Sequence, residues 1–241
     1  MKTVSDSKRA FYAAYPRPIN SIYRRVIEEL LVEMHLLSVN SDFKPDPIYY
    51  LGIVTSFERL MQGYDPESDK EQIFNALSTS TDNDPQNLKS QAGTLLSLAK
   101  DKSTEDLLAW LSNPTAGDDV AYIVKPIEEI ANRDNFKYSR LFAVGVYTLL
   151  EESDRELVAD KEKRDGVADT IAESFGLSGD KMKKDLDLYR SNLEKMTELL
   201  KVIEDVLEAS RKQRAKREQD KLAKSDTTTE ETKKTEEAAA E

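Results

Sequence analysis

The chain has 241 residues, 39% of them hydrophobic and 34% charged, no cysteine, and a formal net charge of −11 at neutral pH. Without cysteine, disulfides, thiolate catalysis and cysteine-ligated zinc or iron–sulfur sites are excluded. The acidic excess argues against a general nucleic-acid binder, which needs surplus Lys and Arg to neutralise phosphates.

Only eight Gly and eight Pro are present, which favours helices over turn-rich β architecture. A mean hydropathy of −0.62 is polar for a compact domain, so part of the length is expected to stay out of the core. No apolar run of about 18 residues is available to span a bilayer. Met1 to Ala14 shows neither an apolar signal core nor an Arg-rich, acid-free presequence pattern, so the chain is expected to stay where it is made or to have been processed already.

In chain order, Ile19, Ile22, Tyr23, Val26, Ile27, Leu30, Leu31, Met34 and Leu37 form a broad stripe at helical spacing. Asp46-Pro47, Asp65-Pro66 and Asp84-Pro85 are each expected to start a helix, because Asp caps free N–H groups and Pro fits the first helical position. Helical stripes follow through Ile48–Met61, Ile73–Leu77 and Leu88–Leu98, with Gly63 and Gly176 placed as C-terminal caps. Ser103 and Asp106 make a capping-box-like pair ahead of Leu107, Leu108 and Leu111. Val120, Ile123, Ile127 and Ile130 continue the pattern. Tyr138 to Leu150 is apolar enough for a buried strand, but its helical neighbours favour a helix in which Gly145 permits a close approach.

The last helix, expected from about Ser178 to Ala223, carries Met182, Leu186, Tyr189, Leu193, Met196, Leu200, Ile203 and Leu207 at alternating spacings of four and three. That is a heptad seam, with burial expected to be complete at Leu193 and Leu200. Beyond Leu207 the seam becomes polar, so the helix is expected to project. Residues 208–224 carry seven Lys/Arg and three Asp/Glu, and residues 225–241 two Lys and six Asp/Glu. The expected organisation is therefore a bundle over 1–207, a basic helical extension over 208–224 and a disordered acidic tail over 225–241, which lacks the apolar residues to offset ordering. The fold class is all-α.

No catalytic, metal or cofactor constellation is legible. The single histidine sits in Glu33-Met34-His35, whereas a four-helix di-metal site uses Glu-x-x-His pairs; His35 reads as a residue at the edge of an apolar stripe. Glu28-Glu29, Glu128-Glu129 and Glu151-Glu152 are adjacent rather than stacked and read as solvated faces. Ser5-Asp6-Ser7-Lys8 contains S-x-x-K without its companion motifs, and no phosphate-binding glycine loop occurs. The basic run Arg211, Lys212, Arg214, Lys216 and Arg217 is open to three readings. It is a solvated extension, a protein-docking arm, or a contact for anionic lipid or RNA, though it lacks the apolar face and the aromatics that the last would use.

Ordered blocks across residues 3–200 carry a resemblance. They are Arg17-Pro18-Ile19-Asn20-Ser21-Ile22-Tyr23-Arg24-Arg25-Val26, continuing to Ser38; Asp46-Pro47-Ile48; Gly63-Tyr64-Asp65-Pro66-Glu67; and Ile73-Phe74-Asn75-Ala76-Leu77. Tyr138-Ser139-Arg140-Leu141-Phe142-Ala143-Val144-Gly145 and Lys184 to Met196 complete the set. The sequence resembles the thylakoid formation family. That resemblance implies a non-enzymatic accessory protein for photosystem II biogenesis and repair, peripheral on the cytoplasmic side of the thylakoid membrane, with a soluble pool. The implied partner is an FtsH-type protease complex whose level the protein sustains. It also implies a cyanobacterial rather than plastid form, because the chain begins almost at the family core. No catalytic residue carries over. Tyr23, Arg24, Tyr189 and Arg190, within the family blocks, and Arg211, Lys212, Arg214 and Arg217, in the basic run, are the candidate partner contacts. A helical adaptor or signalling scaffold with another partner is the alternative.

Overall fold

The computed structural model describes residues 2–100, 102–115, 118–131 and 136–237; at residues 118, 131, 207 and from 214 on, only the backbone is described. Every regular element among them is helical. The chain divides into two compact units, Met1–Leu193 and Glu194–Glu241.

The first unit opens with α1 (Val4–Ala14), which no apolar stripe had announced. Its capping box joins the Thr3 hydroxyl to the Asp6 amide and the Asp6 carboxylate to the Thr3 amide. Its buried face is only Ser7 and Phe11. α2 (Ser21–Ser38) follows, capped by Asn20.

α3 (Pro47–Leu60) and α5 (Pro85–Ala99) begin as the Asp-Pro pairs predict, with Asp46 and Asp84 accepting from Tyr49 and Gln86 amides and Pro at the first turn. The third pair departs from that expectation. Asp65-Pro66 is a cis peptide leading into a short 3₁₀ turn at Glu67–Asp69, with no side-chain cap, before α4 (Lys70–Ser80).

α6 (Thr104–Ser112) is capped by Ser103, whose hydroxyl accepts from the Asp106 amide. α7 (Ala121–Ala131), α8 (Arg140–Ser153), the one-turn α9 (Arg155–Ala159) and α10 (Lys161–Ser174) complete the sequence up to the last helix. After α10 the chain closes in a Schellman turn. The Gly176 amide donates to Glu173 and the Leu177 amide to Ala172, with Gly176 in the left-handed region at φ 63° as its predicted cap role requires.

The stretch from Tyr138 resolves as helix α8, and it is the centre of the core. All ten residues from Leu141 to Leu150 are buried, the mark of a helix apolar all round. It crosses α3 at two glycines. A methyl group added at Gly145 would overlap the Ile48 carbonyl oxygen, and one added at Gly52 the Leu141 carbonyl oxygen. The two backbones therefore touch, and the predicted packing role of Gly145 is met by a second glycine that the sequence pattern did not single out.

α11 runs from Gly179 to Glu237, so the end expected near Ala223 lies further on. Within the first unit, Met182, Leu186 and Tyr189 of its seam are fully buried. Complete burial was expected at Leu193 and Leu200, but both are half-buried; the seam correctly gives the facing side but not the depth. In the second unit Met196 is buried, whereas Val202 and Val206, off the seam, are 57% and 60% exposed. The side chain of Leu207 and those of the expected acidic tail lie outside the described residues.

Candidate functional site

The polar groups of the first unit include ties that hold helices together and an open surface along α2. The ties come first. His35 is not at the edge of its stripe but 2% exposed, its Nδ1 2.9 Å from the Ser7 hydroxyl, itself fully buried. A serine beside an imidazole is half of a hydrolytic pair; here both are sealed from solvent, and the contact fastens α1 to α2.

Asp69 accepts from the Tyr15 hydroxyl and from Arg17, each at 2.7 Å. Those bonds, the tyrosine's first, hold its carboxyl below the usual carboxylate range, while burial pushes the Tyr15 phenol up. Arg164, 1% exposed, donates to the Val158 carbonyl and to Asp187, binding α10 to α11. Arg59 pairs with Glu151 across α3 and α8.

The open surface is a groove of about 880 Å³ along α2, closed by α1, the start of α8 and the first turns of α11. α2 supplies Ser21, Arg24, Arg25, Glu28, Glu29, Val32, Glu33 and Leu36, which recur at helical spacing along one face about 22 Å long. Lys8 reaches over from α1 to Glu28 at 2.7 Å, and Tyr12 donates to the same carboxylate at 2.9 Å. The lysine and then the tyrosine hold Glu28 below its ordinary range. Arg140, in the first turn of α8, pairs with Glu33 at 2.8 Å. Tyr138 donates to Asp185 of α11 at 2.9 Å, and burial, then the Asp185 charge, pushes its phenol up. The Lys181 ammonium sits over the Tyr138 ring, 4.9 Å from its centroid.

Of the predicted contact residues whose side chains are described, Arg24 faces this groove. Tyr23 is 5% exposed, donates to the Gln62 carbonyl and stacks edge-on against Tyr64. Tyr189 is 6% exposed and packs edge-on against Tyr147. Both tyrosines are core residues. Arg190 is half-buried. In the second unit Arg211 is exposed, and Lys212 pairs with Glu208 one turn back at 2.6 Å, as a solvated helix face does; the Arg214 and Arg217 side chains lie outside the described residues. The groove residues missed by sequence reasoning are Lys8, Leu36, Arg140 and Lys181. The signal present was the polar side of α2, where Arg24 is a candidate contact in the sequence but Glu28-Glu29 read as a solvated face.

Among the described residues no group of three or more His, Asp or Glu is placed to hold a metal. Nor is any described helix long and apolar enough to cross a membrane.

The fold and the groove define an all-α protein with a mixed-charge surface groove along α2 and buried polar ties between its helices. The model of the family described as Thylakoid formation protein matches residues 3–218. The chain is 54% identical over 225 residues to a protein of Gloeothece citriformis named Protein Thf1, covering 92% of this chain and 97% of that one. It is 52% identical over 219 residues to Protein Thf1 of Trichormus variabilis, covering 91% and 94%. A structure of Psb29 solved at 1.55 Å shares the fold with a TM-score of 0.77 and 41% identity, over 89% of this chain and all of that one. The chain belongs to the thylakoid formation protein family.

Proposed function

We propose that the protein is a non-enzymatic accessory factor for thylakoid biogenesis and photosystem II repair, acting by association with an FtsH-type protease complex that it helps to sustain. The observation that carries this reading is family membership over residues 3–218. The protease comes from the family resemblance of the sequence blocks, and the geometry is compatible with it: binding needs a surface, and the α2 groove is one. In this reading the partner protein holds the chain at the cytoplasmic face of the thylakoid; no described helix is long and apolar enough to cross a membrane.

Fractionation of thylakoids with and without the protease tests this. The full chain is expected on membranes that hold the protease and in the soluble fraction when the protease is absent. Retention on protease-free membranes overturns the partner assignment. A truncation after Leu207 measures the basic extension. Its contribution is expected to weaken with salt, since exposed charges are screened over roughly 8 Å at physiological ionic strength.

A further inference from the structure

Every described residue of the second unit lies on one helix, α11, so the unit has no other described element to cover an apolar face. It carries such a face nonetheless. Leu199, Val202 and Val206 recur at spacings of three and four, which stacks them on one side of the helix. Leu199 is half-buried, and the two valines are 57% and 60% exposed. Lys195, Ala209 and Gln213, all exposed, continue the same alternation at either end, so the face is a heptad seam with an aliphatic centre. Charge along the helix is uneven. Residues 194–205 carry four Asp/Glu and two Lys, and residues 206–217 carry five Lys/Arg and one Glu.

We propose that this face is an interface with a second copy of the chain, the two α11 helices lying antiparallel over residues 195–213. Antiparallel pairing sets the acidic half of one helix against the basic half of the other, whereas a parallel pair sets like against like. It also selects a register. With Val202 opposite Val206 of the second copy, Leu199 falls opposite Ala209 and Lys195 opposite Gln213, and the same contacts repeat across the two-fold axis. At the edge of the pair Glu198 meets Lys212 of the second copy. In the single chain Lys212 has only Glu208, one turn back, as its printed ion-pair partner. Asp205 approaches its own symmetry mate, which limits affinity. The seam is about 27 Å long, and its small side chains bury less than the roughly 1,600 Å² of a standard interface, so the dimer is micromolar rather than permanent. An anionic bilayer fits less well, because Glu198 and Asp205 flank the same face. The inference goes beyond the proposed function, and neither protease nor membrane enters its test.

The test is sedimentation velocity on the full chain from about 1 µM to about 1 mM, a range that brackets a micromolar Kd. A monomer–dimer equilibrium is expected. The double variant Val202→Asp, Val206→Asp is expected to stay monomeric throughout. Both side chains are exposed in the single chain, so its circular dichroism and Tm at low concentration stay those of the parent. Glu198→Lys and Lys212→Glu are each expected to weaken the dimer about tenfold, the scale of two exposed charge contacts reversed, and the two together to restore it. Restoration reads the orientation, since in a parallel pair positions 198 and 212 lie about 21 Å apart. The proposal is overturned if the chain stays monomeric across the range, if the valine variant associates like the parent, or if the assembly exceeds two copies. It is equally overturned if the double charge exchange fails to restore what each single exchange loses.

Discussion

The α3–α8 crossing and the docking of α1 hold the same unit together by opposite means. At the crossing, two glycines let backbones touch and every residue from Leu141 to Leu150 is buried; apart from the Arg59–Glu151 pair, the contact is steric. α1 has only Phe11 and Ser7 buried. It is held by Ser7 on His35, Lys8 and Tyr12 on Glu28, and, just past its end, Tyr15 and Arg17 on Asp69. Packing of the first kind responds to volume and not to pH. The second kind responds to protonation and hardly to volume. The pair therefore separates two sources of cohesion within one unit.

The largest effect is expected where space is absent. Gly145→Ala is expected to destabilise the protein by about 3 kcal/mol or more, since the neighbouring atom is backbone and cannot rotate away. Gly52→Ala is expected to match it. Urea unfolding followed by circular dichroism measures both. A loss below 1 kcal/mol at either would mean that the helices separate easily and the crossing is not tight.

Next in size is the seam of α11. Leu186→Ala, at a residue 1% exposed, is expected to cost about 2–5 kcal/mol. Leu200→Ala, at a half-buried position, is expected to cost about 1 kcal/mol. Equal midpoint shifts for the two would show burial to be uniform along the seam after all.

The smallest effect at neutral pH, and the most diagnostic, belongs to α1. Asp69 and Glu28 are both held below their ordinary values by their partners. Their contribution is therefore present at neutral pH and at all values above the unfolded carboxylate pKa of about 4. It is lost as pH falls through the lower folded values. Thermal unfolding between pH 7 and pH 3 is expected to fall less steeply in Asp69→Asn than in the parent, while Gly145→Ala runs parallel to the parent. Identical profiles for Asp69→Asn and the parent would break the contrast between the two regions.

That contrast also explains what the sequence made legible. Helix α8 was readable because a continuous apolar run has one dominant meaning among helical neighbours. The caps at Asp46, Asp84 and Ser103 were readable because their chemistry is local. α1 and α10 escaped because their buried faces include Ser7 in one and Arg164, Ala168 and Ala172 in the other, residues that no hydrophobic period marks. Asp65-Pro66 shows the same dipeptide serving a different backbone. In the groove, Arg24 was singled out by its place in a family block, but Lys8, Arg140 and Lys181 come from three other helices, and only tertiary structure brings them to α2. The burial of Tyr23 and Tyr189 was not legible for the converse reason: an amphipathic side chain reads the same in sequence whether its hydroxyl meets water or, as at Tyr23, a carbonyl.

The glycine contact at the centre reaches as far as the groove at the surface. Arg140 is the first residue of α8, and Gly145 lies five positions later on the same rigid rod. The contact of Gly145 with Ile48 thus acts as a dowel that sets where Arg140 arrives beside Glu33. Enlarging Gly145 displaces the rod and misaligns one wall of the groove. A substitution that never meets a partner would then register in a binding assay as though it lay on the docking surface, so unfolding and affinity must be measured on the same variant before any residue of α8 is counted as a contact.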